Sequence, residues 1–315
     1  APEVLEVDGS RPDIGLTEAG YLYLAGEAGL ASLQRAHAIQ TQHGAEVALL
    51  DPTQLAERFP WLETADVAGG TLGLRGEGWF DGYLLLTAFG RKARSQGARF
   101  VRGEVGTVEV RDRRVTSVAL ADGSRIVCGH LINAAGPWAR SIAKLAGVEL
   151  PVFARRRTVY VVACREVMKG FPLLIDTSGF WVRPEGTTFI AGLPPGEDPD
   201  DAPLEPEYEL FESVLWPALA ARVPAFEAAK LERAWAGYYE MNVFDHNGIV
   251  GLHPEIRNLG FMNGFSGHGM QQGPVVGRGM AELLLQGRFV TVDLAALAYE
   301  RILAERPLLE LNVIG

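Results

Sequence analysis

Gly264-Phe265-Ser266-Gly267-His268-Gly269-Met270-Gln271-Gln272-Gly273-Pro274 is the stretch around which this sequence organises itself. It follows an apolar run at 259–263 that reads as a strand, and it precedes a helical pattern at 274–286. A glycine-rich turn there brings backbone close to a ligand. The helix N-terminus behind it carries partial positive charge, so an anionic or electron-rich ligand suits the place. Spacing alone leaves two readings open. Gly267, Gly269 and Gly273 form a relaxed dinucleotide turn, with Asp293 as the acid for a ribose. The other is a loop needed only for packing. A hydrolase elbow, G-x-S-x-G, fails because His268 stands where its second glycine belongs.

Outward from this turn, Asn133-Ala134-Ala135-Gly136-Pro137-Trp138-Ala139 repeats the theme of a strand ending in small residues before a helix. The spacing predicts strands at 20–25, 68–80, 99–101, 105–111, 115–120, 125–127, 158–164, 231–239 and 249–250, and a hairpin over 179–192. Helices are predicted at 29–43, from Pro52 with Asp51 as cap, at 83–96, 137–147 and 293–304, and at 207–223 with an interruption near Pro217. Such a mixture is α/β or α+β.

The chain has 315 residues, 48% of them apolar, enough for one large or two medium domains with a real core. Its net charge of −10 speaks against nucleic acid as a partner. No apolar run has the length of a membrane span. Cys128 and Cys164 are too few for a disulfide framework and read as intracellular thiols, which places the chain in the cytoplasm. The six histidines are scattered, so no metal site is expected. Asp198, Asp200 and Asp201 read as a solvated loop. Alternate members of Arg155-Arg156-Arg157 share a strand face and suit a carboxylate or phosphate.

Four ordered markers carry a resemblance. They are Glu77-Gly78-Trp79-Phe80-Asp81, the corner at 133–138, Trp235-Ala236-Gly237-Tyr238-Tyr239-Glu240 with Asp245-His246-Asn247-Gly248, and the turn at 264–269. Together they resemble the D-amino acid oxidase superfamily of FAD-dependent oxidoreductases, which includes sarcosine and glycine oxidases. The Tyr-Tyr-Glu stretch, the Gly-His-Gly-Met-Gln-Gln run and the ending Arg306-Pro307-Leu308 with Asn312-Val313-Ile314 are most similar to the FAD-dependent oxidoreductase domain subgroup linked to complex I assembly.

The resemblance implies a mixed α/β chain. An FAD-binding doubly wound domain over 82–150 and 241–315 would interleave with an antiparallel-sheet substrate domain over 1–81 and 151–240. It implies FAD as cofactor and a small amine or amino acid as substrate, oxidised by hydride transfer. A non-catalytic assembly factor that keeps the fold is the alternative. The turn Ser266, Gly267, His268, Gly269, Met270 and Gln271 would lie against the flavin ring. Ala134, Ala135, Gly136 and Trp138 would line the diphosphate side, and the backbone of Val105 would meet adenine. His268, Arg183 and Tyr239 are the catalytic candidates, with Arg183 holding a substrate carboxylate bidentately. The family's opening strand–G-x-G-x-x-G–helix–strand–acid unit is not found in this sequence. The resemblance therefore also implies weak or no FAD binding by this chain and self-association through an exposed strand edge.

Overall fold

A computed structural model describes residues 2–309. The marker Asn312-Val313-Ile314 lies outside them. The strands are β1 (Tyr21–Ala25), β2 (Val47–Leu50), β3 (Gly69–Gly73), β4 (Val105–Arg111), β5 (Arg114–Leu120), β6 (Arg125–Val127) and β7 (Leu131–Asn133). They continue with β8 (Val152–Ala163), β9 (Leu173–Ile175), β10 (Trp181–Glu185), β11 (Thr188–Gly192), β12 (Lys230–Asn242), β13 (Ile249–Leu252) and β14 (Leu259–Asn263).

Among the described residues these strands form three sheets. The largest has eight strands in the order β12-β8-β11-β10-β9-β1-β3-β2. Its pairs are antiparallel except β1 with β9. A second sheet runs β13-β14-β7, with β14 and β7 parallel. The third is the antiparallel meander β4-β5-β6.

The register of the large sheet decides what its two faces do. Leu22, Leu174 and Val182 sit side by side on β1, β9 and β10, and all are fully buried. They join Tyr160, Phe180, Phe189, Leu215, Leu219 and Phe226 in the main core. Successive side chains on a strand alternate faces, so Tyr21, Tyr23, Trp181 and Arg183 point to the opposite side. The core side is covered by the helix Pro52–Arg58, which Asp51 and Gln54 start with a reciprocal capping box. It is also covered by helical residues 208–222, where a π turn at Phe211–Leu215 leads into Trp216-Pro217. Pro217 has no N–H to give the ladder, and the π turn absorbs that break.

At the end of the second of these helices Arg222 is buried. It makes two hydrogen bonds to Asp66, at 2.7 and 2.9 Å, pairs with the buried Asp176, and donates to the Glu63 carbonyl at 2.6 Å.

Several expectations change. Residues 99–101 form no strand, and Phe100 and Val101 are exposed, because no strand lies beside them to complete a ladder. The strand expected over 68–80 stops at Gly73, and only Trp79 bridges again, to Thr17. β2 was not expected: Val47–Leu50 lacks alternation and is a strand because β3 pairs with it. β8 and β12 run longer than their apolar patterns because they pair with each other along their length. The helix after the turn begins at Gly269, since Gln272 N–H already bonds the His268 carbonyl and Pro274 costs the ladder a single donor. The tail splits into a 3-10 turn, Ala295–Leu297, and a short helix, Glu300–Leu303, where Ala298 takes an extended conformation.

The loop acids are not merely solvated. Asp198 grips Arg157 at 2.7 and 3.0 Å, Asp200 pairs with Arg155 at 2.9 Å, and Glu207 pairs with Arg156.

Candidate functional site

The turn after β14 is braced from within. Ser266 stands at φ +49° and is fully buried. Its hydroxyl accepts from Asn242 N–H at 3.0 Å and donates to the Gly264 carbonyl at 3.3 Å. The Ser266 side chain therefore shapes the turn from within. Gly264 and Gly267 follow at φ +75° and +95°, conformations that suit glycine. Glu240, at the end of β12, supports the same turn. Its carboxylate accepts from Gly264 N–H at 2.9 Å and from Phe265 N–H, and its carbonyl accepts from Ser266 N–H. Burial raises its pKa against those two donors.

The same carboxylate links the turn to the corner after β7. A Cβ on Gly136 would stand 4.0 Å from Glu240 Oε2, and one on Gly269 3.7 Å from Oε1. Gly136 is at φ +55°, and Asn133 Oδ1 accepts from Ala135 N–H at 3.2 Å. Ala134 is exposed, and Trp138 is exposed with its ring edge-on to Tyr238. Val105 is placed elsewhere. It opens β4 and pairs with Leu120 in the meander, and the expected strand before it is absent.

His268 is the N-cap residue of the helix Gly269–Gln286. The first intrahelical bond is donated by Gln272. The amides of Gly269, Met270 and Gln271 thus precede the ladder and are open to a ligand. Met270 is exposed, and its methyl lies 2.8 Å from where a Cβ on Gly82 would stand, which puts the start of the helix Gly82–Ser95 beside the turn. Gln272 Oε1 and Asn263 Oδ1 are buried acceptors with no hydrogen-bond partner among the described residues.

Across from this turn stands the non-core face of the large sheet. Tyr21 collects the predicted and unpredicted groups. Its hydroxyl hydrogen-bonds the Gln271 side chain, and burial raises its pKa first. The nearby charge of Glu77 raises it further, that of Arg183 lowers it, and Tyr239 is a lesser neighbour. Arg183 pairs with Glu185, donates to the Pro184 carbonyl at 2.9 Å and lies 5.2 Å above the Trp79 ring. Tyr239 is raised by burial, with Arg157 at 5.4 Å over its ring. Gln271 thus lines a cavity with Tyr21, the charges of Arg183 and Glu77 bear on the Tyr21 hydroxyl, and His268 lines the neighbouring cavity.

Two cavities, of about 630 and 680 Å³, flank this point. Tyr21, Arg75 and Gln271 line the first; Tyr23, Thr71 and His268 line the second; Glu77 lines both. Glu77 Oε2 accepts from Tyr21 N–H at 3.0 Å and stands where a side chain on Gly73 would be. Tyr21, Glu77 and Glu240 were not singled out as site residues from sequence. Glu77 and Glu240 lie inside two of the quoted markers. Tyr21 is the odd-face member of an alternating strand. Among the described residues no cluster of His, Cys, Asp and Glu is placed to hold a metal ion.

The model of the FAD dependent oxidoreductase (DAO) family matches residues 3–283. The chain belongs to that family. A FAD-dependent oxidoreductase domain-containing protein 1 from Xenopus laevis is 40% identical, the match covering 98% of this chain and 68% of that protein. Human mitochondrial sarcosine dehydrogenase is 25% identical over 87% of this chain and 31% of its own length. Among solved structures, L-proline dehydrogenase from P. horikoshii superposes with a TM-score of 0.84 at 25% identity, covering 93% of this chain and 79% of that one. The family is FAD-dependent, which makes FAD the group to test against this site. The open amides at 269–271 and the unpartnered buried acceptors are of the kind that suit a flavin ring, which offers both hydrogen-bond acceptors and an N–H donor.

Proposed function

We propose that this chain contributes the flavin-facing and substrate-binding parts of an oxidoreductase acting on a small amine or amino acid. The observation that carries the reading is that Arg183 and Tyr21 share the sheet face opposite the core, with Tyr21 and Gln271 lining one cavity there. The turn from Ser266 to Gln271 would hold the ring of FAD through its amides, with His268 beside it and Glu240 fixing the turn. Ala134, Ala135, Gly136 and Trp138 would line the diphosphate side, and Val105 the adenine side.

FAD, when bound, supplies the hydride acceptor. The protein's part is to bind and orient. Arg183 presents a guanidinium fork matched to a carboxylate. Its present partner Glu185 is largely solvent-exposed, so that ion pair is weak and exchangeable. Tyr21 lines the first cavity, and the buried Tyr239 stands on the same sheet face beside Arg157.

The test is an absorption spectrum of FAD-reconstituted protein under anaerobic addition of small amines and amino acids. Bleaching of the flavin bands by one of them is expected. Stable flavin bands that no amine or amino acid bleaches would defeat the reading.

A further inference from the structure

Among the described residues Glu77 is the one that lines both cavities. Burial raises its pKa, and the group working against that is the Tyr21 backbone N–H. No cationic side chain among the described residues offsets it. The other acid nearby, Asp176 in the second cavity, is already paired with Arg222 and hydrogen-bonded to Ser178. In the first cavity Arg75 turns to Glu46. A half-buried carboxylate without a cation is costly, and a cationic ligand relieves that cost.

The sheet register places a positive group at the other end of the same row. Val182, Leu174 and Leu22 align across β10, β9 and β1, and Tyr21 pairs with Leu173. The antiparallel step from Val182–Leu174 puts Arg183 opposite Leu173 as well. Arg183 and Tyr21 therefore stand two strand spacings apart, about 10 Å between backbones, on one face. Both Arg183 and Glu77 bear electrostatically on the Tyr21 hydroxyl, with opposite sign.

We infer that Glu77 is the counter-charge for the ammonium group of the ligand, so that the site selects a zwitterionic amino acid with its carboxylate at Arg183 and its protonated amine at Glu77. This rests on the reading of the site as one for an amine or amino acid. Tyr21 and Tyr23, whose ring centroids lie 6.3 Å apart, line the cavities on either side of Glu77 and give apolar surface to substituents on the nitrogen. The plain structural role, a brace for Tyr21 N–H above Gly73, predicts no charge selectivity.

The test uses FAD-saturated protein and two probes of the same shape. Sarcosine carries the ammonium; methoxyacetate replaces it with an ether oxygen. Binding is read by thermal shift and by perturbation of the flavin spectrum. Glu77→Gln keeps an acceptor for Tyr21 N–H, and a far-UV melt checks that it folds. Sarcosine affinity is expected to fall about tenfold or more in Glu77→Gln, with methoxyacetate changed less than about twofold. Glu77→Asp is expected to restore part of the sarcosine preference. Equal loss for both probes, or no loss for either, overturns the inference. Wild-type protein that binds methoxyacetate but not sarcosine overturns it while leaving the carboxylate site at Arg183 standing. Wild-type protein that binds flavin but neither probe removes the amino-acid reading and this inference together.

Discussion

Two regions of this chain are built from similar sequence and end very differently. The large sheet has one face sealed by the helix Pro52–Arg58 and by helical residues 208–222, and Leu22, Leu174, Val182 and Phe226 beneath them are fully buried. Around β7 the sheet is open. β7 pairs with β14 on one side, and among the described residues no strand lies on the other. The helix Gly82–Ser95 beside Phe100 and Val101 buries only Ala88, leaving Tyr83, Leu84, Leu86 and Phe89 exposed. The contrast shows that an apolar pattern states a demand for burial, and that a partner surface decides whether the demand is met.

The largest effects are expected in the sealed region. Arg222→Met leaves Asp176 buried without its cation and is expected to cost about 3–5 kcal/mol. Phe226→Ala opens a cavity in the core and is expected to cost a similar 3–5 kcal/mol or so. Urea unfolding monitored by fluorescence measures both, and a loss below about 1 kcal/mol in either would erase the contrast.

The turn should be intermediate. Ser266→Ala removes the acceptor of the buried Asn242 N–H and is expected to cost about 1–3 kcal/mol. Because the hydroxyl faces inward, any loss of flavin affinity should track this loss of stability. Fluorescence titration of FAD against both variant and wild type checks that.

The acids sharpen the comparison through pH. Burial alone would raise Asp245, but its bonds with Arg301 and the Leu308 and Asn247 amides hold it below the usual range. Glu282, bonded to Thr291 and Val290, is lowered to about 2. Their folded values lie below the unfolded ones. The stability they give is present above roughly pH 4 and is lost as pH falls through the folded values. Glu77 and Glu240 are raised by burial, so each costs stability as pH climbs past its unfolded value. Glu240→Gln is therefore expected to narrow the difference in urea midpoint between about pH 5 and pH 7, and a wider difference would reverse the assignment.

The smallest effect on stability is expected at the open face. Leu86→Ser with Phe89→Ser should change it by no more than about 0.5 kcal/mol, as urea unfolding measures. A large destabilisation would mean that this helix face is packed after all.

Much of this was legible in the sequence. Asp51-Pro52, the Pro217 interruption, the hairpin over 179–192 and the strand before the central turn are local signals, each decided by a few adjacent residues. Where a partner decides, local reading failed: 99–101 lacks a neighbour, and Val47–Leu50 gains one. At the site, the turn and Arg183 were visible as residue types with suitable chemistry. Glu240 and Tyr21 were not, because their roles come from register. Glu240 reaches the turn from the end of a thirteen-residue strand, and Tyr21 meets Gln271 across two hundred and fifty positions.

The sharpest test falls on the face of the large sheet that its core does not use. Anaerobic flavin reduction by a carboxylate-bearing amine should be followed in wild type and in Arg183→Met, both loaded with FAD. The apparent KM is expected to rise about tenfold or more in the variant, with the flavin spectrum unchanged, since a lost bidentate ion pair weakens binding and not the cofactor site. Identical kinetics in the two proteins would contradict the placement of the substrate on that face.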